Sequence, residues 1–313
     1  MDELNIAVLI PCYNEETSIG TVVSDFAQAL PGANIYVFDN NSIDATAKVA
    51  CHAGAIVKTE VLQGKGHVVR RMFADIEADV YVLVDGDGTY DASSAASLVN
   101  LLVQGQYDMV NAERQAIHAN AYRTGHKFGN KLLSSLVAFF FGKRFNDILS
   151  GYRIFSRRFV KSFPALSTGF EIETELTVHA LELRMPVVEV PTPYRERSVG
   201  SYSKLNSFRD GFRILRTIFC MVKDEKPLKF FSLVAILLSI ISLILAWPIF
   251  VTYLTTGLVP RFPTAILCSA LMTLAVLSFF CGLILDSIAL GRREQKRMWY
   301  LQTPVRCKIQ SKL

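Results

Sequence analysis

The stretch Tyr81-Val-Leu-Val-Asp-Gly-Asp-Gly-Thr-Tyr-Asp91 joins a short apolar run to a pair of acidic residues. Its first four residues are typical of a buried strand in a parallel sheet. Asp85 and Asp87 lie two residues apart, so in an extended chain their side chains point the same way. Two such carboxylates suit a hard divalent ion, Mg²⁺ or Mn²⁺, that also binds a phosphate, and Gly86 between them would let a bulky ligand approach the backbone. The Asp-Gly pattern is equally typical of a tight hairpin turn, so the rest of the chain decides between them.

Strand-like segments alternate with segments of helical periodicity from the start of the chain to residue 111. The strand-like segments are 5–10, 35–38, 55–57, 81–84 and 108–111. This alternation predicts an α/β fold with a doubly wound, mostly parallel sheet and right-handed crossovers. The polar loops that follow the strands should then meet at the carboxyl edge of the sheet, where such folds bind ligands.

Two common phosphate-binding motifs are absent from the sequence. The first strand is followed by Pro11-Cys-Tyr-Asn-Glu15 instead of G-x-G-x-x-G, and Gly64-Lys65-Gly66 lacks the Ser or Thr of a P-loop. A turn that starts a helix is at least as consistent with Gly64-Lys65-Gly66 as a phosphate cradle. Lys65 is accordingly either a ligand-binding cation or a surface charge. The net charge of +5 is modest, and no nucleic-acid partner is expected.

The hydrophobic residues, which make up 51% of the 313 residues, are unevenly distributed. The segments 230–260 and 262–285 contain no charged residue, and each is long enough to cross a bilayer as a helix. Apolar and basic residues alternate with helical spacing over 208–223, which predicts an amphipathic helix at the membrane surface; an ordinary packed helix is the alternative. Basic residues flank both apolar segments on their outer sides, so both termini are expected in the cytoplasm.

Six motifs, taken in order, resemble those of the family 2 inverting glycosyltransferases. They are Pro-Cys-Tyr-Asn-Glu (11–15), Asp-Asn-Asn-Ser-Ile-Asp-Ala-Thr (39–46), Gly-Lys-Gly-x-x-x-Arg (64–70), Asp-Gly-Asp (85–87), Ala-Glu-Arg (112–114) and Asp-Ile-Leu-Ser-Gly-Tyr-Arg (147–153). The chain is most similar to the polyprenyl-phosphate branch, which includes dolichyl-phosphate mannose synthase. The resemblance covers about residues 5–205 and implies a GT-A fold, a nucleotide-sugar donor held with Mg²⁺ or Mn²⁺, and a homo-oligomer, a tetramer in this branch.

The resemblance also implies domain boundaries. A cytoplasmic GT-A catalytic domain is expected at 1–205 and a juxtamembrane amphipathic helix at 206–227. Two transmembrane helices are expected within 228–290, at about 228–254 and 264–288, followed by a basic cytoplasmic tail at 291–313. The protein is thus expected to be integral to the cytoplasmic or an ER-type membrane.

Roles for individual residues follow from the same resemblance. The nucleotide-sugar site is expected to comprise Pro11, Tyr13, Glu15, Asp39, Lys65, Asp85, Gly86, Asp87 and Arg114, with Asp39 at the base edge. Asp87, together with Asp85, is the expected metal ligand. The acceptor phosphate is assigned to Arg153, Arg197, Ser203 and Lys204. The catalytic group is expected to be Asp85, Asp87, Asp147 and Arg153.

The predicted reaction transfers a sugar from a UDP- or GDP-linked donor to a polyprenyl phosphate, undecaprenyl or dolichyl phosphate, at the cytoplasmic membrane face. A phosphate monoester has a second pKa of about 6, so it is mostly a dianion at pH 7 and needs orientation by cations more than a base. Asp147 is therefore expected to orient the cationic cluster. The alternatives are an anchored glycosyltransferase with another glycolipid or glycan acceptor, and a non-catalytic nucleotide-sugar-binding membrane protein.

Three glutamates, Glu171, Glu173 and Glu175, alternate on a predicted helix at 170–183. They cannot all share one helix face. At most one or two are expected to reach the crevice, and the others are expected to be solvated.

Overall fold

The computed structural model describes residues 4–116, 126–142, 145–197 and 207–304. The chain divides into two compact units, residues 1–217 with 296–313 and residues 218–295. The strands are β1 (Ile6–Cys12), β2 (Asn34–Asp39), β3 (Ile56–Thr59), β4 (Val80–Leu83), β5 (Met109–Ala116), β6 (Arg153–Ser156) and β7 (Val187–Tyr194). The helices are α1 (Ile19–Ala29), α2 (Thr46–His52), α3 (Lys65–Asp75), α4 (Ala95–Gln104), α5 (His126–Phe141), α6 (Arg157–Ser162), α7 (Ile172–Glu182), α8 (Ser207–Glu225), α9 (Pro227–Thr256) and α10 (Phe262–Gln302).

The seven strands form one sheet in the order β3-β2-β1-β4-β6-β5-β7. All neighbours pair in parallel except β6, which is antiparallel to both β4 and β5. The predicted α/β fold with a mostly parallel sheet is therefore confirmed, but β6 was not predicted as a strand. Because β6 runs in reverse, the loop that precedes it reaches the carboxyl edge of the sheet, beside the end of β4.

The central strands are buried on both faces, as their continuous apolar runs require. Every residue of β4 is buried, and α1 covers one face of the sheet with Ile19, Val22, Val23 and Phe26. The other crossover helices also bury apolar residues, among them Val69 and Met72 of α3. This packing fixes the end of β4, after which Asp85 and Asp87 follow directly.

Strand β7 lies at one end of the sheet, where β5 is its partner among the described strands. It contains two prolines, Pro191 and Pro193, which lie opposite Glu113 and Gln115 of β5. Proline has no N–H to donate to a ladder and is found in strands with one free side.

The second unit contains two helices that are long and apolar enough to cross a membrane, α9 and most of α10. Their mean hydropathies reach 2.7 and 2.3. Inside this unit the Ser242 hydroxyl of α9 donates to the Cys268 carbonyl of α10 over 2.8 Å. The predicted spans lie within these helices, but α10 continues to Gln302, so the first part of the predicted tail is helical.

Candidate active site

The loops that follow β1 and β2 are joined by hydrogen bonds at the carboxyl edge. The Asn14 backbone N–H donates to Ser42 Oγ, and the Ile43 N–H donates to Asn14 Oδ1, each over 2.9 Å. Asp39 is buried, and its Oδ2 accepts the Ser42 N–H at 3.2 Å. Its Oδ1 is buried without a hydrogen-bond partner among the described residues. A buried acceptor in this state is suited to an N–H donor from a ligand.

The three residues of the first loop that were predicted to bind the nucleotide sugar lie in different surroundings from one another. Pro11 lies inside β1, opposite Phe38, and not in the loop that follows the strand. Tyr13 is half-buried just after the strand. Glu15 is buried, its backbone N–H donates to Thr46 Oγ1 at 2.8 Å, and its Oε2 accepts from Ser18 Oγ at 3.3 Å. Glu15 therefore ties the start of α1 to the start of α2.

Asn40 holds the loop that leads to Lys65. Its Nδ2 donates to the carbonyls of Glu60 and Leu62 at 2.9 and 2.8 Å, and its Oδ1 accepts the Gly64 N–H at 2.7 Å. The sequence assigned no role to this side chain. Because Gly64 has a φ of +138°, a conformation that favours glycine, this loop has a defined geometry where α3 begins.

Lys65 connects the first carboxylate of the Asp-Gly-Asp stretch to α7. Its Nζ lies 2.5 Å from Asp85 Oδ1 and 2.5 Å from Glu173 Oε1. Burial alone would lower the pKa of Lys65, but the two carboxylates raise it above its ordinary value. Burial, and also Asp85, raise the pKa of Glu173, whereas Lys65 lowers it. Lys65 is thus a permanently charged part of the crevice and not a surface charge.

The second carboxylate, Asp87, is buried and paired on both oxygens. Its Oδ1 accepts from Thr89 Oγ1 at 2.6 Å, and its Oδ2 lies 2.7 Å from Arg197 Nη2. The sequence placed Arg197 at an acceptor phosphate, whereas the structure places it on Asp87. Thr89 orients the carboxylate and leaves Oδ2 for a cation.

Gly86 serves core packing instead of ligand approach, which corrects the expectation from sequence. A Cβ at this position would lie 2.5 Å from Cys12 Sγ. Its carbonyl accepts a hydrogen bond from Ser18 Oγ at 2.8 Å. Gly151 is the glycine that allows a close approach to the acidic pair, because a Cβ at this position would collide with the Asp85 carboxylate. The loop before β6 therefore lies directly against the Asp-Gly-Asp stretch.

Arg114 and Asp147 form a two-pronged ion pair on the other side of that loop. Arg114 Nε and Nη2 donate to Asp147 Oδ2 and Oδ1, each over 2.7 Å. Burial would raise the pKa of Asp147, but Arg114 holds it below its ordinary value. Asn111 and Glu189, which the sequence did not single out, bind the backbone of this loop: Asn111 Nδ2 donates to the Asp147 carbonyl at 2.8 Å, and Glu189 Oε2 accepts the Asn146 N–H at 2.7 Å.

Arg153 does not reach the crevice, so its predicted contact with the acceptor phosphate is wrong for this structure. Its side chain is 0% exposed, and its guanidinium donates to the carbonyls of Ser150 and Ile148 at 3.0 and 2.7 Å and to Thr177 Oγ1 at 2.9 Å. Burial lowers its pKa to about 10. Arg153 positions the loop that precedes β6.

Glu171, just before α7, and Glu173 and Glu175 in its first turn are all buried, so the expectation that those outside the crevice are solvated is wrong. Glu175 accepts the N–H groups of Leu166 and Ser167 at 2.8 Å each, and Glu171 accepts that of Gly169 at 3.0 Å. Glu171 and Glu175 thus bind the loop that precedes α7, whereas Glu173 binds the distant Lys65. Ser203 and Lys204 lie outside the described residues.

The donor set at Asp85 and Asp87 fits a divalent ion that is bound together with a phosphate. Among the described residues no cluster of three or more His, Cys, Asp or Glu side chains could hold a metal ion by itself. Two carboxylates with phosphate oxygens to complete the shell are a usual Mg²⁺ site. Lys65 and Arg197 stand in here as the cations that neutralise the two carboxylates.

Fold and site together define a glycosyltransferase of the GT-A type. Residues 7–163 match the family model described as glycosyl transferase family 2, and the chain belongs to this family. It is 37% identical over 229 residues to the glycosyltransferase AglJ of Haloferax volcanii, covering 72% of this chain and 75% of that protein. It is 29% identical over 223 residues to the dolichyl-phosphate hexose transferase of Haloferax volcanii, covering 71% and 96%.

The fold is also that of a solved enzyme. The crystal structure of glucosyl-3-phosphoglycerate synthase from Mycobacterium tuberculosis, in complex with Mn²⁺, UDP and glucosyl-3-phosphoglycerate, superposes with a TM-score of 0.57. The match has 21% identity and covers 70% of this chain and 79% of that one.

Proposed function

We propose that this enzyme transfers a sugar, with inversion at the anomeric carbon, from a UDP- or GDP-linked donor to a polyprenyl phosphate. The relative named dolichyl-phosphate hexose transferase supports a lipid phosphate acceptor. The two apolar helices support a membrane location. Homo-oligomerisation stays a prediction.

The observation that carries the proposal is the two-pronged pair between Arg114 and Asp147. A carboxylate with both oxygens bound to a guanidinium and a lowered pKa is a weak general base. A sugar hydroxyl would need an effective general base to remove its proton. A phosphate monoester does not, because it is mostly a dianion at pH 7, with a second pKa of about 6.

The donor diphosphate is assigned to the crevice between Lys65 and Arg114, and its base to the free Oδ1 of Asp39. Asp87, assisted by Asp85, would hold Mg²⁺ or Mn²⁺. When bound, the ion stabilises charge that develops on the leaving diphosphate. Arg153 keeps the loop that carries Asp147 in place.

Helix α8 supports contact of the protein with a membrane surface. This helix exposes Phe212 and Phe219, with Arg213 and Arg216 exposed as well. Exposed apolar and basic side chains on one helix suit an anionic lipid surface. We place the catalytic unit and both termini in the cytoplasm.

The test incubates membranes that contain the full-length protein with labelled nucleotide sugars and either undecaprenyl or dolichyl phosphate. Product should be a sugar-linked lipid phosphate, and excess chelator should abolish it. Formation of a different glycolipid, or full activity in chelator, would contradict the proposal.

A pH profile distinguishes the two kinds of nucleophile. Because the pKa of Asp147 is depressed, the Arg114–Asp147 pair persists above the ordinary aspartate pKa and is lost only as the pH falls through the lowered value. The acid limb of kcat/KM for the acceptor should therefore lie near the phosphate pKa of about 6. Asp147→Asn should retain that limb and measurable turnover, whereas a hydroxyl acceptor would require the carboxylate.

A further inference from the structure

The two carboxylates of the Asp-Gly-Asp stretch have counter-cations that differ in exposure. Lys65 is buried, with a side chain 9% exposed, and it is held by Glu173 as well as by Asp85. The Arg197 side chain is 31% exposed at the carboxyl edge, beyond the end of β7. Lys65 is thus enclosed between two carboxylates, whereas Arg197 reaches Asp87 from the more open side of the crevice.

We propose that Arg197 is an exchangeable counter-cation of Asp87, released to the acceptor phosphate when donor and metal bind. This inference rests on the proposed function. Asp87 Oδ2 lies 2.7 Å from the guanidinium, so a divalent ion and Arg197 compete for the same oxygen. The buried carboxylate is neutralised in both states, but by a different partner in each.

Charge balance makes metal and nucleotide binding depend on each other. With no diphosphate present, a divalent ion at Asp87 would place two positive charges beside Arg197 and Lys65, and the repulsion opposes its binding. A diphosphate brings negative oxygens with which the ion, Lys65 and the displaced Arg197 can all pair. Arg197 therefore weakens the binding of metal alone and is tolerated once nucleotide is present.

The released guanidinium has a further partner. Its fork of N–H donors matches the oxygens of a phosphate monoester. Before donor binding these donors face Asp87, so the acceptor phosphate lacks one of its cations. Arg197 thus makes the acceptor site complete only after the donor site is filled.

Arg195 supplies a matched control from the same segment. Its backbone N–H donates to the Thr89 carbonyl at 2.8 Å, and its guanidinium pairs with Asp91 at 3.0 Å. It has the same side chain as Arg197 but is bound to an aspartate outside the Asp-Gly-Asp pair.

The first experiment titrates Mn²⁺ into the full-length detergent-solubilised protein and follows free Mn²⁺ by electron paramagnetic resonance, alone and with UDP or GDP. For the wild type, nucleotide should tighten Mn²⁺ binding by about tenfold or more. Arg197→Met should tighten the binding of Mn²⁺ alone by about tenfold and reduce the effect of nucleotide. Arg195→Met should behave as the wild type.

The second experiment measures binding of geranyl phosphate, a short prenyl phosphate, with and without Mn²⁺ and the nucleotide. The wild type should bind it at least about fivefold tighter in the loaded state, and Arg197→Met should lose this difference. The inference is overturned if Arg197→Met matches Arg195→Met in Mn²⁺ affinity or if geranyl phosphate binds equally in both states of the wild type. Failure of UDP and GDP to bind the wild type at all would instead overturn the proposed function.

Discussion

Two buried aspartates lie at opposite ends of the parallel strands, one at the carboxyl ends and one at the amino ends, and they are neutralised in different ways. Asp87 follows β4 at the carboxyl edge, where Thr89 and Arg197 bind it. Asp108 precedes β5 at the amino edge, since β4 and β5 both run antiparallel to β6. Asp108 accepts hydrogen bonds from Ser156 Oγ, Arg158 Nε and Tyr300 Oη, each at 2.7 Å.

The difference lies in how the partners are fixed. Arg158 lies against the ring of Tyr300, 4.9 Å from its centroid, so two of the partners of Asp108 also hold each other. Arg197 lies instead at the crevice, beside groups that a ligand can reach. Burial of a carboxylate thus does not identify an active site; the position of its counter-cation in the fold is more informative.

The largest effect is expected for Asp87→Asn. Loss of this charge removes the proposed metal ligand and should slow transfer about a thousandfold, equivalent to ~4 kcal/mol, with little change in melting temperature. Asp91→Asn, in the same loop, is the control. Labelled-sugar transfer and thermal melting in one detergent are the measurements, and more than a tenth of wild-type activity would refute the role.

For Asp108→Asn we expect a loss of stability without a loss of activity. Removing one member of a buried ion pair should destabilise the protein by about 3 kcal/mol, because Arg158 loses its carboxylate. Activity per folded molecule should stay close to that of the wild type. Asp75→Asn removes only the surface pairs of this carboxylate with Arg71 and Lys58, and should lower the melting temperature little. If Asp108→Asn instead lost activity without loss of stability, the contrast drawn between Asp87 and Asp108 would be wrong.

Glu173→Gln tests whether the fixed cation needs its second carboxylate. Lys65 would keep Asp85 but lose its anchor on α7, so we expect the donor KM to rise about tenfold with a smaller change in kcat. Glu175→Gln, two residues further along α7, is the control. It should affect stability and leave the donor KM unchanged. Equal effects of both variants on the donor KM would count against a specific role for Glu173.

The smallest effect is expected for Tyr300→Phe. It removes one hydrogen bond to Asp108 but keeps the ring beside Arg158, and should cost about 1 kcal/mol of stability. Tyr253→Phe, at an exposed position of α9, serves as the control. A melting temperature unchanged from the wild type would show that Asp108 does not depend on this donor.

The periodicity of apolar residues and the positions of the polar loops were sufficient to predict much of the fold. The strand before Asp85 and the helix that covers it were predicted because their apolar spacing is set by burial. Strand β6 was missed because Arg-Ile-Phe-Ser is four residues long and has no alternation that distinguishes it from a loop. Its direction also depends on pairing with two distant strands, which no local pattern contains.

The candidate site was predictable where residues carry their chemistry in the motif itself, as with the Asp-Gly-Asp stretch. It was not predictable where the partner of a charged side chain is not specified by any motif. Glu173 reaches Lys65, 108 positions away in the chain, and Arg153 binds backbone carbonyls in its own loop. The usual preference of glutamate for solvent gave the wrong expectation at residues 171–175, and the family resemblance gave the wrong contact for Arg153.

The prolines of β7 have a consequence for the solubility of the catalytic unit. An exposed sheet edge offers unpaired N–H and C=O groups that can recruit strands from other molecules and start aggregation. Residues two apart direct their N–H groups to the same side of a strand, so Pro191 and Pro193 remove two donors from one side of β7. Since prolines within a ladder would cost hydrogen bonds, that side is the one that does not pair with β5; among the described residues it is bonded only near its end, where Tyr194 bridges to Tyr90. The end of the sheet is thereby a poor template for a neighbouring copy of the chain.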